Sequence, residues 1–127
     1  MLFRSLTGAQ NGGMFTMFTD FTPPGGGPPP HFHASEDEWW FVLEGQAEFF
    51  DGAAWVPVWA GGAVFMPRRA RHTVRNAGTT ALKQVIHTSP SGFETFCAEA
   101  AEEFGRPGGP DMGRAMEIAG RHGIRFA

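Results

Sequence analysis

Tyrosine is absent from this 127-residue chain, and lysine and cysteine each occur once. Without tyrosine no phenol can act as a general acid, although 13 phenylalanines and four tryptophans supply aromatic bulk. A single lysine, Lys83, weakens any Schiff-base or lysine-base mechanism. Cys97 has no partner for an internal disulfide, so nothing calls for an oxidising compartment. Long apolar runs are missing too. The longest clean one, residues 39–43, falls far short of a membrane span, and residues 1–7 hold no apolar signal core. Basic charge is scarce: 10 Lys and Arg against 13 Asp and Glu give a net charge of -3, with no footprint for nucleic acid or anionic membrane. A soluble, cytoplasmic protein is the expectation.

What remains is a chain with 42% hydrophobic and 18% charged residues, enough for one real core. The reading is a single domain, residues 1–127, with a barrel at about 14–90 and a helical extension at about 91–127. Residues 14–21 alternate weakly as a first strand. The Pro/Gly segment 23–30 can be neither helix nor central strand. Residues 38–44 and 46–50, separated by Gly45, read as a strand pair. Asp51-Gly52 marks a tight turn, and Pro57 suggests that the strand at 55–59 is an edge. Strands at 63–67, 72–76 and 82–88 complete a rhythm that predicts an all-β, antiparallel jelly-roll barrel. Residues 93–104 show helical spacing, and Asp111 caps a second helix that stops near Gly123. These helices are expected to pack outside the barrel.

His31 and His33 stand two apart where the backbone becomes regular after the prolines, so both project to one face of a strand. Two imidazoles so placed can lean onto one ion at about 2.1 Å. Glu38 and His72, from neighbouring strands, would complete a site for one divalent first-row metal, with positions left open. Iron, manganese, nickel, copper and zinc all suit such donors.

At this point the chain resembles the cupin superfamily. Gly25, His31, His33, Glu38 and Gly45 fit the intervals of its first motif. Gly61, Pro67, His72 and Asn76 fit the second, but Arg69 stands where the family has glycine, which raises the question of a positive φ at a residue with a Cβ. The resemblance implies that His31, His33, Glu38 and His72 are metal ligands. The proline-rich approach to His31, the run Asp37-Glu38-Trp39-Trp40 and the segment Ser89-Pro90-Ser91-Gly92-Phe93-Glu94 look most like the small quercetinase-like cupins. That implies dioxygen-dependent oxidation of an enolic, flavonol or aromatic compound, with Glu38 as the catalytic residue that assists deprotonation. Two other classes stay open: a metal-dependent isomerase or lyase of a small metabolite, and a non-catalytic small-molecule binder.

Strand parity sends Trp40 and Val42 inward with Glu38, and Trp39, Phe41 and Leu43 outward. Inward Trp40, Phe49 and Phe65 are candidates for a substrate pocket. The outward row is too apolar for open solvent and suggests plain core or a homodimer interface. Glu36 and Asp37 read as solvated turn residues, and His87 as a candidate second-layer group beside the ligands. Arg68, Arg69, Arg71 and Arg75 could draw in an anionic substrate, with solvated strand-end charges as the simpler reading. His122 reads as a surface residue at a helix end.

Overall fold

Inward and outward residues alternate along the central strands of the computed structural model, which describes residues 5–126. The elements run β1 (Ser5–Leu6), α1 (Gly8–Asn11), β2 (Thr16–Thr22), β3 (His31–His33), β4 (Asp37–Glu44), β5 (Gln46–Phe50) and β6 (Trp55–Trp59). They continue through β7 (Ala63–Met66), β8 (Thr73–Asn76), β9 (Leu82–Ser89), α2 (Phe93–Phe104), α3 (Met112–Arg121) and β10 (Ile124–Phe126). One sheet has the order β1-β2-β9-β4-β7, a second β6-β5-β8, and β10 pairs with β3. Every named pair is antiparallel. An isolated bridge between His31 and His72 joins β3 to the start of β8, with reciprocal backbone bonds of 2.9 and 2.7 Å.

The two faces enclose the core. Phe18 of β2, Trp40 and Val42 of β4, Phe49 of β5, Val74 of β8 and Leu82 and Ile86 of β9 are buried together there. The expected closed barrel is corrected to two facing layers whose ladders do not join into one ring among the described residues. Prolines explain part of this, because Pro23, Pro24 and Pro28–Pro30 have no N–H to carry a ladder around the corner between β2 and β3. Pro57 lies in β6, at the edge of its sheet, as expected.

The Pro/Gly segment instead crosses close over β8. Gly25 N–H donates to Asn76 O at 3.0 Å and Asn76 N–H to Gly26 O at 2.9 Å. A Cβ on Gly27 would sit 2.2 Å from Val74 O, so only glycine lets the backbones approach this closely. Arg69, in the turn after β7, does adopt a positive φ of 71°. Its N–H donates to His33 O at 2.7 Å, a bond that offsets the conformational cost and ties the turn to β3.

Both helices form where their spacing predicts, and the Asp111 carboxylate accepts from Arg114 N–H at 3.2 Å as an N-cap. The position of α2 differs from the expectation. α2 does not lie on an outer face: its Phe93 and Cys97 pack against the core, and Phe93 stacks on Phe18 with ring centroids 5.8 Å apart. Beyond Gly123 the chain forms β10, which sets Ile124 opposite His33 and Phe126 opposite His31. No described helix is long and apolar enough to cross a membrane.

Candidate metal centre

β3 projects His31 and His33 inward, β4 brings Glu38 beside them, and the bridge to His31 carries His72 into the same spot. One nitrogen or oxygen from each of the four lies within 4.8 Å of the others. All four residues are buried or nearly so, His33 and His72 to 1% exposure.

The imidazoles are oriented from behind. Nδ1 of His31 faces Pro29 O at 2.8 Å, and Nδ1 of His72 faces Ala70 O at 2.8 Å. A carbonyl can only accept, so Nδ1 carries the proton in each and the Nε2 side is turned to the cluster. Pro29 and Ala70 thus do what no motif position announces.

His33 is held differently. Its Nδ1 lies 3.5 Å from Glu36 Oε2 and its Nε2 lies 2.9 Å from Glu38 Oε2, yet neither nitrogen is placed to make a hydrogen bond. His72 Nε2 lies 3.1 Å from the same Glu38 oxygen. Glu36 was expected in solvent; it is instead 8% exposed, because the turn from β3 to β4 folds its side chain back beneath His33. Asp37, expected in the turn, instead opens β4 and pairs with Arg68 at 3.2 Å.

The electrostatics follow from this packing. Burial lowers His31 from 6.5 to about 4. Burial also opposes charge on His33, but Glu36 and Glu38 outweigh it and raise the group to about 9. For Glu38, burial pushes upward while His33 and His72 pull harder, holding the carboxyl at about 2. Glu38 is therefore ionised beside His33, whose raised value puts the balancing positive charge on its own imidazole.

A metal ion could take the place of that proton. With bonds of about 2.1 Å, adjacent donors around an octahedral ion stand roughly 3.0 Å apart and opposite donors about 4.2 Å. The 2.9 and 3.1 Å separations match adjacent vertices, and the 4.8 Å limit asks for only a small closure. Nε2 of His33, buried without a hydrogen bond and 2.9 Å from the carboxylate, is an atom that an ion would satisfy. These donors could hold one ion.

The cluster forms one wall of a cavity of about 420 Å³, to which His31, His33 and Glu38 contribute. The other walls are largely aromatic: Phe18, Phe21, Trp40, Phe93, Phe96 and Phe126. Phe93 lies 5.2 Å from the His33 ring, and Trp40 meets His72 edge-on at 5.4 Å. Three of these walls, Phe93, Phe96 and Phe126, come from the C-terminal extension, whose docking no local pattern reveals.

Among the remaining candidates, Trp40 lines the cavity, whereas Phe49 is buried behind it, edge-on at 4.8 Å. Phe65 is 59% exposed on the opposite face, a correction to the expected inward position. Its register partner is the outward Trp39, not Trp40. His87 is likewise outside, stacked on Trp39 with centroids 5.1 Å apart, and is not a neighbour of the ligands. None of Arg68, Arg69, Arg71 and Arg75 lines the cavity; Arg75 pairs with Glu48 and lies 3.8 Å over Trp55. His122 caps α3 and faces Glu99 at 3.2 Å.

Comparison with solved structures places this geometry among proteins of the same fold. A Thermotoga maritima protein described as a predicted oxalate decarboxylase shares 27% identity over 67% of this chain and 75% of its own, with a TM-score of 0.58. The TT1209 protein of Thermus thermophilus shares 26% over 61% and 74%, also at 0.58. A sugar phosphate isomerase from Silicibacter pomeroyi shares 22% over 67% and 57%, at 0.58, a likeness of fold alone. No curated protein matches the chain. The family model for the cupin domain matches residues 21–87, more than half of the chain, and spans the whole ligand cluster. The chain belongs to the cupin family.

Proposed function

We propose that this cupin is a metal-dependent oxygenase that oxidises a small, largely aromatic compound bearing an enolic or flavonol-type oxygen pair. The observation that carries the reading is the aromatic cavity opening directly onto His31, His33 and Glu38. His31, His33 and His72, through their inward-turned ring nitrogens, and Glu38 would hold the ion. When bound, the ion supplies Lewis acidity and the electron traffic that dioxygen chemistry needs.

The chain's own residues do the rest. Trp40, Phe93 and Phe126 offer faces and edges on which a planar ligand can stack, and their bulk keeps water from the reacting end. Both close imidazole contacts of Glu38 fall on Oε2. Oε1 is then the atom that accepts the enolic proton as the ligand settles, the general-base role proposed for Glu38. A polar metabolite or phosphate ester fits less well, because no arginine or lysine lines the cavity among the described residues.

Oxygen-electrode assays on protein loaded with iron, manganese, nickel or copper test the reading. Consumption dependent on an enolic aromatic substrate is expected. Turnover that proceeds equally well without dioxygen would move the protein to the isomerase or lyase class, and tight binding without turnover to the binder class.

The same reading includes a homodimer. Phe41, Leu43 and Phe65 stay exposed on the outer face of the five-stranded sheet, and a second copy is the occupant proposed for it. Sedimentation that finds only monomer at micromolar concentration sinks that part.

A further inference from the structure

Gln84 sits in the middle of β9, 1% exposed, and its side chain lines the same cavity. Its Nε2 donates to Asp20 Oδ2 at 3.3 Å, and Thr22 Oγ1 donates to that same oxygen at 2.8 Å. A carboxylate only accepts here, which fixes the way the Gln84 amide is turned. Gln84 Oε1 therefore faces away from Asp20, and no group among the described residues donates to it. A buried amide oxygen without a donor is costly.

The place of this acceptor is set by register. Thr88 pairs with Glu38 across the β4–β9 ladder, and Gln84 pairs with Val42. Four residues separate the two pairs, so the acceptor is rooted roughly 13 Å along the strand from the cluster. Asp20, opposite Gln84 on β2, adds a second acceptor that also lines the cavity. Between the two ends lie Phe18, Trp40 and Ile86, all apolar.

From this we infer that Gln84, backed by Asp20, is a distal specificity site that accepts a hydrogen bond from a hydroxyl or amino group at the far end of the ligand. The inference rests on the aromatic-ligand reading above and deepens it. The ligand class becomes an elongated aromatic molecule with chelating oxygens at one end and a hydrogen-bond donor at the other. A plain hydrocarbon end would bury Gln84 Oε1 without relief. An acidic end would meet two acceptors and be refused.

The test compares two probes, 3-hydroxyflavone and 3,4′-dihydroxyflavone, which share the chelating end and differ only in the distal hydroxyl. Binding to the zinc-loaded protein is read from tryptophan fluorescence, so no turnover is needed. The distal hydroxyl is expected to tighten binding about tenfold in the native protein. In Gln84→Met, matched in size, that advantage should vanish while 3-hydroxyflavone binds as before. Should Gln84→Met fail to fold, by its thermal melt, Asp20→Asn serves in its place and should reduce the advantage. Equal affinity of the two probes for native protein overturns the distal site but spares the aromatic-ligand reading. An advantage that persists in the folded variant also overturns it. Failure of both probes to bind overturns the aromatic-ligand reading and the distal site with it.

Discussion

The two faces of β4 differ little in hydrophobicity and greatly in what they do. Inward go Glu38, Trp40 and Val42, all buried; outward go Trp39, Phe41 and Leu43, the last two each 38% exposed. Trp40 meets the His72 imidazole and walls the cavity, whereas its neighbour Trp39 stacks on His87 against solvent. Side-chain type therefore says little about role in this strand. Parity, fixed by the period of two, decides which tryptophan lines the cavity and which faces outward.

Substitution on each face sharpens that contrast. Trp40→Ala should cost about 3–5 kcal/mol of stability through the void it leaves, whereas Phe41→Ala should cost under about 1 kcal/mol. Urea denaturation of the metal-free proteins measures both. Similar losses for the two would break the comparison.

A smaller effect is expected just behind the ligands, where Glu36 underlies His33. Glu36→Gln should weaken metal affinity by about 10–100-fold, because it removes the negative charge packed beneath the ring. Calorimetric titration with zinc reads this directly. An unchanged affinity would make Glu36 a bystander.

The gentlest probe is pH, applied to the metal-free protein. His31, lowered to about 4 by burial, refuses a proton that the unfolded chain takes up near 6.5, so stability is lost as pH falls through that window. Glu38, held at about 2 against its ordinary 4.5, adds to the loss at still lower pH. His33 has the opposite sign. Raised to about 9, its contribution is complete below 6.5 and is lost as pH climbs through 9. The melting temperature should therefore peak near pH 6.5. A steady rise from pH 6 to 9 would contradict the assignment for His33.

The strands and the gathering of the four candidate donors are legible in the sequence because they rest on short-range rules. His31 and His33 share parity whatever their strand pairs with, and the intervals to Glu38 and His72 fit motifs whose turns repeat a fixed geometry. Phe65 was not legible, because β7 reads Ala63-Val64-Phe65-Met66, apolar throughout, and offers no alternation to set its phase. The helices were predictable as helices, but an apolar helical face does not say which surface it will cover. β10 is three residues long, too short for any period to show, yet it sets Phe126 beside the cluster. The burial of Glu36 and Gln84 is hidden in the sequence for a common reason. Polar residues usually face water, and only the assembled packing reveals the two that do not.

The central claim is that four side chains from separate strands act together on one ion. The most direct measurement is metal content per chain, by mass spectrometry after equilibration with zinc and gel filtration, for native protein and for His72→Ala. One ion per native chain, with most of it lost in a variant that still melts cooperatively, is the predicted result. A folded native protein that retains no ion, or a variant that retains as much as the native chain, would contradict it.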